Sequence, residues 1–118
     1  MSYKMLGISG EVEVRIINRD SYIAVRSIAN NQNADIEWIA EKGQVVISTD
    51  VIGTPLEVIL HSNGRLAIVN GNAFILREPI RNIDGTLYIQ THSLVDIVGA
   101  ITNKPMTATI VRNVLEIK

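Results

Sequence analysis

Arg26, Trp38, Arg77, Arg81 and His92 are the side chains of this sequence whose types could recognise a ligand. Arg26 and His92 stand at matching places in two similar stretches, so the two donors would sit at equivalent ends of a pseudo-symmetric groove. The simpler alternative is that each fixes a nearby carbonyl or faces water. Arg77, Glu78 and Arg81 flank Pro79 and could read an acidic or saccharide ligand, or form a solvated ion-paired face. Trp38 could be an exposed binding aromatic, or pack in the core with its N–H satisfied. His61, beside an Asn-Gly pair, reads as a solvated loop residue, since a general base without a partner is weak evidence of chemistry.

Nothing else in the chain looks catalytic. Ser21, Ser27 and Ser93 lack a nucleophile-elbow context, and Asp84 and Asp96 have turn and helix-surface roles. No glycine-rich loop has phosphate-binding spacing. The absence of cysteine excludes disulfides and thiolate ligands. The expectation is a protein that is not an enzyme and holds neither metal nor cofactor.

Composition narrows the partners. A chain of 118 residues with net charge −1 has no clustered basic face, and one Trp, three Tyr and one Phe make a poor stacking platform for single strands, so nucleic acid is not expected. Charged residues make up 19%, below the roughly 25% of ordinary soluble domains. Mean hydropathy is +0.21, which fits either a surface apolar enough to be covered by a partner or a second copy, or simply a β-rich core with few long charged helices. Met1 to Gly7 has no apolar signal core, and no run reaches membrane-spanning length. The chain as read carries no secretion signal: a complete protein would be cytoplasmic or part of a phage particle, and a piece of a secreted parent would be at the cell surface.

The elements that must position these side chains come in two copies. Tyr22-Ile23-Ala24-Val25-Arg26-Ser27-Ile28-Ala29 is answered by Tyr88-Ile89-Gln90-Thr91-His92-Ser93-Leu94-Val95, with Tyr, Ile and Ser recurring in register. Each copy reads as a strand entering a short helix. Val25, Ile28, Ala29 and Gln32 form one helical stripe; Leu94, Ile97, Val98 and Ile101 form the other. Asn33 should stop the first helix in the left-handed region; Ser93 should cap the second and Gly99 should stop it.

Around the copies the chain reads as strands and turns. Ile8-Ser9-Gly10 reads as a turn, and Val12, Val14 and Ile16 as the buried side of an alternating strand. Turns are expected at Asn18 to Ser21, Glu41-Lys42-Gly43, Asn63-Gly64, Asn70-Gly71, Asp84-Gly85 and Arg112-Asn113. Pro79 should end a strand. Thr49 to Pro55, with Val51 and Ile52, is too short and apolar to be a flexible linker. Ile8-Ser9-Gly10 answers Val69-Asn70-Gly71, and Val45-Val46-Ile47 answers Val114 to Ile117. The fold class expected is α+β: an antiparallel β-rich domain with two short helices, built by internal duplication as strands, helix and hairpin, twice. Residues 1–118 would form one domain of two repeats, about 1–52 and about 62–118, joined by a hairpin-rich connection.

These motifs resemble the bacterial copper amine oxidase N-terminal-like, or stalk-like, domain. Tyr22 to Arg26 is similar to its Tyr-Val-Pro-Leu-Arg element, and Ile36-Glu37-Trp38 to its acidic-Trp strand. Val69-Asn70-Gly71 through Glu78-Pro79-Ile80 resembles its hairpin and proline segment. Asp84 to Ile89 with Gly99-Ala100 resembles the second copy's turn, strand and helix stop. The chain departs from the pattern where Ala24 and Gln90 replace the proline, His92 the arginine and Asn33 the first glycine.

The resemblance implies a divergent, non-catalytic module of bacterial surface or phage-encoded proteins that contacts a protein or a cell-wall polymer. A separate reading is a homo-oligomer assembled through exposed strand edges. His61 and His92 alone are too few for a copper site. The competing expectation is a small ligand-binding protein or enzyme using a groove between the repeats.

Overall fold

The computed structural model describes residues 1–51 and 53–118 of the chain; Ile52, in the stretch read as a connector, lies outside them. The strands are β1 (Ser2–Met5), β2 (Ile8–Glu11), β3 (Val14–Ile17), β4 (Asp20–Ala24), β5 (Asp35–Ile39), β6 (Gln44–Val51) and β7 (Thr54–His61). Six more follow: β8 (Leu66–Val69), β9 (Asn72–Ile75), β10 (Arg81–Ile83), β11 (Thr86–Gln90), β12 (Ala108–Val111) and β13 (Val114–Ile117). Helix α1 (Val25–Asn31) follows β4 directly, and α2 (Thr91–Thr102) follows β11 directly. The α+β reading therefore holds.

Hairpin, hairpin, helix, hairpin is the succession on both sides of β7. The central sheet has the order β10-β11-β4-β3. In it β4 and β11 run antiparallel with Ile23 opposite Ile89, Tyr22 opposite Gln90 and Ala24 opposite Tyr88. That register is what a two-fold axis between Ile23 and Ile89 would produce. The outer strands obey it too, since Arg15 lies opposite Tyr22 and Arg81 opposite Tyr88. Each arginine then stacks on the other half's tyrosine, Arg15 on Tyr88 at 5.5 Å and Arg81 on Tyr22 at 5.8 Å.

The flanking sheets cross the halves in the same way. Hairpin β1–β2 joins β12–β13, giving β12-β13-β1-β2, and β5–β6 shares β5-β6-β7-β8-β9 with β8–β9. Antiparallel pairing has one exception, because β1 lies parallel to β13. Hairpins β8–β9 and β5–β6 are related in the same way, but the chain must run from β6 back to β8, and β7 fills that gap. One cluster of buried side chains draws on all three sheets and both helices, with Ile23 and Ile89 at 0% and 1% exposure. Ile28 and Leu94 line the same small apolar crevice, about 90 Å³, between the helices and β7.

Turn chemistry sets the hairpins. Asn18-Arg19 and Asp84-Gly85 both take left-handed conformations, φ 51° and 71° against 51° and 85°. Such turns match the twist of the strands they join. Ser21 belongs to β4, so that turn is shorter than expected. The turn expected at Ile8-Ser9-Gly10 sits instead at Leu6-Gly7, with φ 52° and 75°. Gly10 lies inside β2, paired with Tyr3, and it is glycine because the Asn31 side chain occupies the space a Cβ would need. Ile16 is 68% exposed on β3, the edge strand of its sheet.

The helix ends divide. Asn33 takes φ 56°, the left-handed stop expected of it. Gly99 does not end α2, which continues to Thr102 and stops at Asn103 with φ 53°. Gly99 is glycine because the chain folds back over it: a Cβ would lie 3.1 Å from the Lys104 carbonyl oxygen. Ser93 is no cap either. It is fully buried within α2, and its hydroxyl donates to Gln90 Oε1 at 3.2 Å.

Candidate functional site

The side chain in register with Trp38 along β5–β6–β7–β8 is a buried one on every strand: Val45, Leu60 and Ala67. Trp38 thus points to the core side of its sheet, but β5 is the edge strand and nothing covers the ring beyond it. It is 47% exposed, not packed inside. Beside it runs a groove of about 480 Å³. Ile36 and Trp38 of β5 form one wall, the first turns of α1 with Arg26, Ser27 and Asn30 another, and the β10–β11 turn with Asn82, Thr86 and Leu87 the third. Ala24, Val25 and Glu13 lie along its base. The groove therefore lies where one half's helix faces the other half's turn.

Its polar groups are fixed from below. The Glu13 backbone N–H donates to Ser27 Oγ at 3.3 Å, and the Ala24 N–H donates to the Glu13 carbonyl at 2.9 Å. Tyr88 donates its hydroxyl to Glu13 Oε1 at 2.8 Å while accepting from Arg15 Nε at 3.1 Å. Burial, and then the bond to Glu13, push the Tyr88 hydroxyl above the ordinary tyrosine value. Ser27 donates to the Ala24 carbonyl at 2.7 Å, closing the first turn of α1. The Arg26 side chain is exposed and forms no ion pair among the described residues.

The symmetry-related junction is filled. Gln90 and Thr91 stand where Ala24 and Val25 stand in the first copy, and both are buried. Gln90 Nε2 donates to Asp20 Oδ2 at 3.4 Å, and the Thr91 and Ser21 hydroxyls meet at 2.7 Å. Thr91 also donates to the Ser21 carbonyl at 3.1 Å. Asp20 and Ser21 occupy the places that Thr86 and Leu87 hold beside the groove.

Of the five residues singled out in the sequence, the structure brings Arg26 and Trp38 together. His92 is exposed on the first turn of α2 and does not line the groove, so the pairing of Arg26 with His92 across one groove is not what the fold builds. Arg77 is held in a two-pronged ion pair by Asp96, Nε–Oδ2 2.8 Å and Nη2–Oδ1 3.0 Å, which also raises its pKa. Arg81 turns instead to the Tyr22 ring, with its Nε buried and without a hydrogen-bond partner among the described residues. Arg77 and Arg81 therefore do not form a shared site.

His61 is no loop residue. It ends β7 half-buried, its Nδ1 bonded to the Leu66 carbonyl at 2.9 Å and its Nε2 to the Gln44 amide at 3.0 Å. Since a carbonyl only accepts, the proton is on Nδ1 and Nε2 accepts from Gln44. Glu13 and Asn30 were missed as groove residues. The legible signal for Asn30 was its polar place on the exposed face of the first helix. Glu13 alternates with apolar residues and reads only as solvent-facing.

Among the described residues no three His, Asp or Glu side chains gather as metal ligands would. The model of the family described as copper amine oxidase N-terminal domain matches residues 7–110. The chain belongs to that family. The domain of copper amine oxidases after which the family is described is a non-catalytic one. The match takes in both strand-to-helix junctions and every wall of the groove. No curated protein and no solved structure matches the chain significantly.

Proposed function

We propose that this copper amine oxidase N-terminal domain is a non-catalytic recognition module. In this reading it is one domain formed by duplication of a hairpin–hairpin–helix–hairpin unit, and its ligand sits in the groove beside Trp38. The observation that carries the reading is the pairing of a half-exposed Trp38 with Arg26 over a groove of about 480 Å³, a volume within the range of ligand sites. The groove has one carboxylate, one guanidinium and no imidazole on its walls, which suits binding and supplies no acid–base pair. Register and shared turn conformations in the central sheet support duplication. Protein segments and cell-wall polymers are the partner classes such a groove would serve.

The test is a thermal-shift panel of peptides, sugars, nucleotides and metal ions on the native chain and on Trp38→Ala and Arg26→Ala. A ligand that binds only the native state raises its melting point. The reading requires a compound class that stabilises the native chain and stabilises both variants less. Equal stabilisation of all three proteins would place the ligand elsewhere.

A second arrangement has its own observation. Ile16, Ile75, Ile110 and Val111, between 49% and 68% exposed, all lie on the edge strands β3, β9 and β12. Unpaired apolar edges invite a second copy. Light scattering coupled to size exclusion decides it: a concentration-dependent dimer supports the arrangement, and a monomer throughout removes it.

A further inference from the structure

We infer that the groove takes a neutral oligosaccharide, with one sugar ring lying on the Trp38 indole and its hydroxyls hydrogen-bonded by Arg26, Asn30 and Glu13. The inference rests on the reading of the groove as the binding site and names its ligand class. A pyranose has an apolar face of C–H groups and a rim of hydroxyls. It needs a flat aromatic surface next to planar groups that donate and accept several hydrogen bonds. Trp38 supplies the first, since its ring is held at the edge of β5 with 47% of the residue exposed and Ile36 beside it. Arg26 donates only, Glu13 accepts only, and Asn30 does both, so adjacent hydroxyls can each find a partner.

Charge favours a neutral ligand. Arg26 and Glu13 cancel, so the lining gives a phosphate or an acidic peptide no net attraction. The site is also a groove, not an enclosed cavity, so a ring within a longer chain can lie in it with both ends leaving. Glu13 is ready before the ligand arrives, because Tyr88 already holds its carboxylate.

Trp38 is the one tryptophan of the chain, so fluorescence excited selectively at tryptophan reports on this groove alone. The experiment titrates the intact protein with cellotetraose, the tetramer of N-acetylglucosamine, a neutral tetrapeptide and inorganic phosphate. A saturable change in Trp38 emission is expected with at least one of the two sugars and with neither of the other probes. Calorimetry with that sugar should show affinity at least tenfold weaker for Trp38→Ala and at least threefold weaker for Arg26→Ala and Asn30→Ala. His92→Ala, at the symmetry-related place, should bind as the native chain does. Circular dichroism and melting of each variant separate lost binding from lost folding. Response to the peptide or phosphate but to neither sugar overturns the sugar assignment and leaves the groove reading standing. Silence of all four probes overturns the sugar assignment, and a thermal-shift panel that also finds no stabilising compound removes the groove reading with it. Sugar binding that Arg26→Ala and Trp38→Ala leave intact overturns the assignment to this groove.

Discussion

The two strand-to-helix junctions have one backbone plan and opposite fates. At the second, Gln90 and Thr91 reach across to Asp20 and Ser21 and fill the space between helix and turn. At the first, Ala24 and Val25 face Thr86 and Leu87, no side-chain hydrogen bond joins them among the described residues, and a groove remains. Four positions thus decide whether a junction is a closed structural clamp or an open groove. The cost and benefit are separable: the clamp stabilises the fold through satisfied buried hydroxyls, while the groove leaves Trp38 and Arg26 available.

The largest expected effects fall on what the junctions share. Ile23→Ala and Ile89→Ala, at the centre of the paired strands, should each cost about 2–5 kcal/mol in denaturant unfolding. Similar costs for the two would fit the two-fold arrangement; a large imbalance would break it.

The next effect separates the junctions. Thr91→Val leaves Ser21 without its hydroxyl partner and should cost about 1–3 kcal/mol, much of it recovered in the double variant with Ser21→Ala. Leu87→Thr on the groove side should cost less, because the new hydroxyl can reach water. Chemical denaturation of the four proteins measures both arms.

Tyr88 and Tyr22 sharpen the contrast further. Tyr88→Phe loses hydrogen bonds to Glu13 and from Arg15 and should cost about 1 kcal/mol. The Tyr22 hydroxyl has no hydrogen bond among the described residues, and Tyr22→Phe should be nearly neutral. Tyr88 and the buried Tyr3 set an alkaline limit. Burial raises the Tyr3 and Tyr88 hydroxyls above the ordinary value of 10.0, so the folded protein keeps protons that the unfolded chain loses. Their contribution is fully present below about pH 10 and falls away as pH rises beyond it. Melting points measured from neutral to strongly alkaline pH should drop more in the native chain than in Tyr88→Phe.

The smallest expected effect concerns the turns. Arg19 holds φ 71° where the other copy has Gly85. Arg19→Gly should stabilise by up to about 1 kcal/mol, as relief of left-handed strain outweighs the added freedom of the unfolded chain.

Much of this was legible in local chemistry. Asn and Asp before glycine marked the hairpins at Asn70-Gly71 and Asp84-Gly85, and the Tyr-Ile repeat marked the two strands that pair. Helical stripes at Val25, Ile28 and Ala29 and at Leu94, Ile97 and Val98 gave the buried faces. Gly99 and Ser93 misled because a helix stop and a cap are decided by what packs on the residue. For Gly99 that is the returning chain at Lys104, and for Ser93 it is the Gln90 side chain.

The groove was half legible. Arg26 and Trp38 could be named, but Trp38's exposure depends on β5 being the edge of its sheet, which no spacing reveals. His92 was paired with Arg26 because the copies align. A two-fold axis puts aligned residues at opposite junctions, so alignment itself predicts their separation.

The most direct test of the two-fold arrangement uses cysteine pairs in a chain that has none of its own. Beyond the paired strands the register places Thr91 opposite Ser21 and Leu87 opposite Val25. Ser21→Cys with Thr91→Cys, and separately Val25→Cys with Leu87→Cys, are oxidised and their cross-linking rates compared by mass spectrometry. Equivalent backbones predict that both pairs close, at similar rates. Closure of the first pair with none in the second would contradict the account.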